Sequence, residues 1–184
     1  YRNEDYMGHI YFTRHGQTVW NVENKICGAT DSPLTELGHK QAIELGEKIK
    51  SENLQIDEIL CSPLSRAADT AKHIAEITGV PLRVEQRLKE QNFGKYESTP
   101  RHGEEFEEAK QNFIYDFDGG ETMLQMAARI YSLLDELKEQ TDKTYLLVAH
   151  NGISRIVQSY FYNMSNEEFA AFGIKNCQIV EYEW

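Results

Sequence analysis

No stretch of this chain approaches the ~20 apolar residues needed to cross a bilayer, so a membrane-spanning helix is excluded. Cysteine is scarce. Cys27, Cys61 and Cys177 are odd in number, widely spaced and form no CxxC, which excludes a disulfide framework and fits a reduced, cytoplasmic protein. Positive charge is also short. With 19 Lys and Arg against 30 Asp and Glu, the formal net charge is −11, which argues against nucleic-acid binding. HExxH, His-x-His, Cys/His clusters and the GxxxxGK[ST] loop are missing, so neither a metal nor a cofactor is expected. Repeats, low-complexity stretches and linkers are missing as well. The 184 residues therefore read as one domain over 1–184, long enough to bury its own core. Its first residues, 1–7, do not resemble a signal peptide and read as a disordered or remnant start.

What is present is an alternation of short apolar strands and amphipathic helices. Ile10–Thr13, Glu58–Cys61 and Tyr145–Ala149 read as buried parallel strands. Each runs into polar residues and then a helix: Arg14-His15-Gly16, Ser62-Pro63-Leu64-Ser65-Arg66 and His150-Asn151-Gly152. This order implies an α/β three-layer sandwich, a mainly parallel central sheet with helices on both faces. Open sheets of that kind keep ligands at the carboxyl ends of their strands, so the three polar groups should meet there. Arginine offers a fixed fork of donors that fits phosphate oxygens, and an adjacent imidazole is able to attack phosphorus.

The helices carry clear marks. One stripe is Leu37, Ala42, Leu45 and Ile49; a second is Leu64, Ala67, Ala71, Ile74 and Ala75, with Pro63 in its first turn and Gly79 at its end. Thr122 and Gln125 have capping-box spacing before Met126, Ile130, Leu133, Leu134 and Leu137. Ile153, Ile156, Val157, Tyr160 and Phe161 form a fourth stripe. Glu104–Glu108 reads as a solvated helix face, and 179–182 as an edge strand that permits a homodimer.

Six motifs occur together in one order: Arg14-His15-Gly16-Gln17-Thr18 with Asn21; Asp31-Ser32-Pro33-Leu34-Thr35-Glu36-Leu37-Gly38; Ser62-Pro63-Leu64-Ser65-Arg66-Ala67; Leu88-Lys89-Glu90 with Phe93-Gly94; Gly120-Glu121-Thr122; and Val148-Ala149-His150-Asn151-Gly152. In these the chain resembles the histidine phosphatase superfamily, the phosphoglycerate mutase-like proteins, over nearly its whole length. The resemblance implies that His15 is the nucleophile of a phosphohistidine intermediate. It implies that Arg14, Arg66, Asn21 and His150 hold phosphate oxygens, with Gln17, Thr18 and Asn151 as further substrate-binding positions. Glu90 becomes general acid and then base. Nearby Arg14 and Arg66 should help keep His15 neutral. Asn21 alone would also suit a turn cap, and Glu121 a carboxylate at a helix start.

Three departures from the family pattern matter. Asn151 stands where glycine is common, and Ser98 where glycine often follows the Glu of Phe-Gly-x-x-Glu. The third lies after Glu90, where Gln91-Asn92-Phe93 replace the Arg and Tyr of mutases and Arg101 is the sole arginine before Gly119. This lack of a cationic cage favours hydrolysis of a small phosphorylated metabolite. The alternatives are a phosphoglycerate mutase and a silent phosphate-binding module. Arg101-His102-Gly103 repeats the tripeptide but follows Pro100 rather than a strand, so it reads as loop. Aromatics between Phe93 and Phe117 should pack over the pocket.

Overall fold

The computed structural model describes residues 8–140 and 142–184; the expected remnant start, 1–7, lies outside the described residues. Its sheet is built on β4 (Tyr145–Ala149), every residue of which is buried. Side chains along it alternate. Leu146 and Val148 join one apolar cluster, while Tyr145, Leu147 and Ala149 join the other, as a strand covered on both faces requires. β1 (His9–Arg14) and β2 (Glu58–Cys61) flank it in parallel. β3 (Leu82–Val84) extends β2 in parallel, and β5 (Ile179–Glu183) lies antiparallel on the far side of β1. The order is β3-β2-β4-β1-β5.

Helices cover both faces. α2 (Glu36–Ser51) and α3 (Ser65–Thr78) pack through Leu45, Ile49, Ala67, Ala71 and Ile74 against one. α5 (Met123–Lys138) and α6 (Asn151–Phe161) pack through Met126, Ile130, Leu133, Ile153 and Val157 against the other. The Thr122–Gln125 capping box forms with both reciprocal bonds, and Gly79 ends α3 in the left-handed conformation, φ 75°. Shorter helices are α1 (Val19–Val22), α4 (Glu104–Ala109) and α7 (Asn166–Ala171).

Two local readings are corrected. Leu37 is 47% exposed, and Gly38 takes the buried place at the start of α2. That turn packs against the strand-end loop so closely that a Cβ on Gly38 would come within 2.1 Å of the Gln17 carbonyl oxygen. Pro63 precedes α3 rather than entering its first turn. Leu64 is the N-cap, and its N–H is held by Ser62 Oγ at 3.2 Å.

A third apolar cluster lies outside the sandwich. Ile26, Tyr96, Phe106, Ala109 and Phe117, with Phe93 and Tyr115 against them, form a small aromatic core within a cap over the carboxyl ends of the strands. Its ring pairs are edge-on or tilted, such as Phe93 edge-on against Phe106 with centroids 5.2 Å apart.

Candidate active site

β1 ends by delivering His15 to the top of the sheet. Its N–H donates to the Ala149 carbonyl at 3.1 Å, continuing the ladder to β4, as Ser62 N–H does to Val148 at 3.0 Å. The three expected groups therefore meet. His15 and His150 ring centroids lie 5.3 Å apart, and His150 Nε2 is 2.7 Å from Ser62 Oγ.

The protonation of His15 follows from its contacts. Nδ1 lies 2.7 Å from the Gly16 carbonyl oxygen. A carbonyl only accepts, so Nδ1 carries the hydrogen and Nε2 keeps the lone pair. Burial, together with Arg66 and Arg14, pushes the ring well below its usual pKa, so it stays neutral; the Gly16 contact opposes this only in part. His150 is lowered for the same first reason, burial, and then by Arg66 and by His15 itself. Among the described residues His150 Nδ1 has no partner.

Backbone carbonyls aim the cations. Arg66 on α3 is 1% exposed and donates to Thr30 at 2.8 Å and Gly28 at 2.6 Å, so the 28–30 loop and the guanidinium fix one another. Arg14 donates through Nη1 to Ile174 at 3.0 Å. Its Nε is buried and without a partner among the described residues. Burial, then Arg101, pushes Arg14 down to about 10, so it remains charged at neutral pH.

Glu90 approaches from the cap side. One oxygen accepts Gln91 N–H at 2.9 Å, and the other accepts Gly152 N–H at 3.0 Å at the start of α6. A Cβ on Gly152 would stand 2.4 Å from Glu90 Oε1, so a side chain here would displace the carboxylate from the start of α6. Asn21 performs two tasks at once. It forms the capping box with Thr18, its Oδ1 accepting Thr18 N–H at 3.0 Å, and it also faces the cleft.

The cleft has a volume of about 80 Å³. Arg14, His15, Thr18, Asn21, Arg66, Glu90 and Asn151 all line it. Two expected positions stand off its wall. Gln17 is occupied elsewhere, its side-chain oxygen accepting the Thr35 hydroxyl at 2.9 Å. His150 is fully buried beside His15. Asn151 is not in the left-handed region, so asparagine's tolerance of such angles is not called upon; its Oδ1 instead accepts Ile174 N–H at 2.9 Å. Glu121 turns away from the cleft and is gripped by Arg129 through two contacts of 2.8 Å.

Arg101, Lys110 and Arg155 also line the cleft, as do Phe93 and Phe106. The 101–103 tripeptide is a loop, as expected, but the absence of a cationic cage is not. Residue 100 bridges to Lys25 and Arg101 N–H bonds Asn24 at 2.9 Å, which pins the loop over the cleft. A strand-end pattern cannot register a cation that arrives on a loop. Arg155 did leave a signal, since it follows Asn151 by four residues and shares its helix face. Among the described residues, one cluster has metal-ligand geometry: His9, Glu181 and Glu183, at the opposite end of β1 from His15.

A sheet whose strand ends gather two neutral imidazoles, a buried and a half-buried arginine and a carboxylate defines a phosphate-handling α/β enzyme. The family model for the histidine phosphatase superfamily (branch 1) matches residues 10–184, and the chain belongs to that superfamily. This places it among the phosphatase-type hydrolases. A Yersinia pestis protein named a probable phosphoglycerate mutase is 30% identical over 187 residues, covering 96% of this chain and 86% of that protein. The solved mycobacterial glucosyl-3-phosphoglycerate phosphatase superposes with TM-score 0.83 at 27% identity, covering 95% of this chain and 89% of that one. A putative α-ribazole-5'-phosphate phosphatase of Escherichia coli shares the fold, with TM-score 0.80 at 22% identity, covering 95% of this chain and 89% of its own.

Proposed function

We propose that this chain is a cytoplasmic, metal-independent phosphomonoesterase that works through a phosphohistidine at His15. One observation carries the reading: a neutral His15 whose Nδ1–H is tied to Gly16, leaving the Nε2 lone pair in a cleft lined by Arg14, Arg66 and Glu90. Its three cysteines are all free, in keeping with a reducing compartment.

In the first step Nε2 attacks phosphorus and the bond to the ester oxygen breaks. Glu90, protonated, gives its hydrogen to the departing alkoxide. Arg14, Arg66 and the Asn21 amide hold the non-bridging oxygens, where charge accumulates. His150 contributes from below. The Ser62 hydroxyl can donate to His150 Nε2 while accepting Leu64 N–H, and in that arrangement Nδ1 carries the hydrogen that is offered to a phosphate oxygen. In the second step Glu90, now a carboxylate, takes a proton from water as its oxygen attacks phosphorus. The P–N bond breaks, phosphate leaves and His15 regains its lone pair.

The test is hydrolysis of p-nitrophenyl phosphate with chelator present. Activity should persist in the wild type and fall on the order of 10⁴-fold or more in His15→Ala. Full activity in that variant ends the mechanism. A mutase reading gains support from the extra cations Arg101, Lys110 and Arg155 at the cleft. A coupled phosphoglycerate assay with and without added bisphosphoglycerate separates the two. Phosphate-dependent thermal stabilisation without turnover would mark a silent binding module.

A further inference from the structure

Two side chains that do not line the cleft reach the backbone that aims His15. The Gly16 carbonyl that holds His15 Nδ1–H belongs to the Gly16–Gln17 peptide group. At the other end of that group, Gln17 N–H donates to Gln41 Oε1 on α2 at 2.8 Å. One peptide plane thus joins Gln41 to the imidazole, and each hydrogen bond polarises the group for the other.

The preceding peptide group, His15–Gly16, is held as firmly. Its N–H donates to Thr70 Oγ1 on α3 at 3.1 Å, and its carbonyl accepts the Asn176 side-chain amide at 2.9 Å. Thr70 is fully buried. Its hydroxyl hydrogen is committed to the Arg66 carbonyl at 2.7 Å, so Oγ1 presents a lone pair to Gly16. Just beyond, the Gln17 carbonyl accepts Thr35 N–H at 2.9 Å. No room is left beside the turn, since a Cβ on Gly16 would stand 2.4 Å from the Gly38 carbonyl oxygen.

The direction of one carbonyl decides the chemistry. While it faces Nδ1, the ring hydrogen stays there and Nε2 keeps its lone pair. Turned away, it would let the hydrogen settle on Nε2, where it blocks attack.

We infer that Gln41 and Thr70 are positioning residues for the nucleophile: by fixing the peptide planes on either side of Gly16, they hold His15 in its Nδ1–H tautomer. This rests on the phosphatase reading and deepens it. It also ties the nucleophile to the phosphate grip, because the Thr70 hydroxyl bonds the backbone of Arg66 itself.

Nitrogen NMR of the His15 ring reads the tautomer without turnover. At neutral pH the wild type should carry its hydrogen on Nδ1 alone. Gln41→Met and Thr70→Val remove the acceptors at similar size. Each should bring in the Nε2–H form and lower kcat/KM for p-nitrophenyl phosphate about three- to tenfold, the scale of one hydrogen bond. Gln41→Glu and Thr70→Ser keep an acceptor and should stay close to the wild type. A lower melting temperature with unmoved ring signals in Gln41→Met and Thr70→Val would mark a structural role only and overturn the inference. So would an equal shift in the conservative variants. If Thr70→Val does not fold, Gln41→Met, at a half-buried helix position, decides alone. Failure of the phosphatase reading shows separately, as the expected ring signals in a wild type that does not hydrolyse p-nitrophenyl phosphate.

Discussion

The phosphate cradle and the cap above it are built by opposite means. In the cradle, His15 and His150 leave the ends of adjacent strands, and Arg66 is clamped by carbonyls of the 28–30 loop. The polar side chains there are aimed by regular backbone or held by carbonyl acceptors, with Arg14 Nε and His150 Nδ1 left without a partner among the described residues. The cap has no sheet. It rests on an aromatic cluster, and three of the six non-glycine residues in the left-handed region among the described residues, Ser98, Phe117 and Asp118, fall within it. The candidate nucleophile therefore sits on a rigid sheet edge, and the cap above it is a separately packed layer.

The two regions meet in Glu90, whose substitution has the largest expected effect after that of His15. Glu90→Gln should slow esters with poor leaving groups by roughly 10²–10⁴-fold, yet slow p-nitrophenyl phosphate far less, because that alcohol departs with little protonation. Equal losses on both substrates would remove the acid role and leave Glu90 as a strut for Gly152.

Phe117 tests whether the cap is a unit of its own. Its ring is 2% exposed at the centre of the aromatic cluster. Phe117→Ala should cost about 3 kcal/mol of local stability, read as faster amide exchange in the cap with β1 and β4 amides unchanged. Equal acceleration everywhere would merge cradle and cap into one cooperative body.

pH separates them differently. Both cradle imidazoles are lowered from 6.5 in the fold. Below about pH 6.5 the unfolded chain takes up protons that the folded chain does not. Stability therefore falls as pH drops, by up to about 1.4 kcal/mol per pH unit for each ring, and is unaffected by these groups above that range. His150→Gln should flatten the slope measured by urea denaturation between pH 6.5 and 5.5; an unchanged slope would refute the assignment.

The smallest effect lies at Ser98, whose φ is 69°. That angle is the physical reason why glycine is frequent there. Ser98→Gly should raise stability by roughly 1 kcal/mol, seen as a higher urea midpoint; a loss would mean that the hydroxyl matters to the cap.

Periodicity alone was enough to locate β1, β2 and β4, the buried stripes of α2, α3, α5 and α6, and the strand-end placement of His15 and His150. These are local patterns, since alternation, a 3.6-residue repeat and capping residues are properties of a few neighbouring positions. β3 escaped because three residues, two of them exposed, carry too short a pattern. Tertiary structure alone decided the rest. It decided that Asn21 caps a turn and faces the cleft as well, that Glu121 serves Arg129, and that Arg101, Lys110 and Arg155 join the wall around His15. It also decided the His15 tautomer, through one carbonyl contact. Charge and hydrogen bonding act through space at a few ångströms, and which distant loops come that close is settled only when the sheet and its cap have packed.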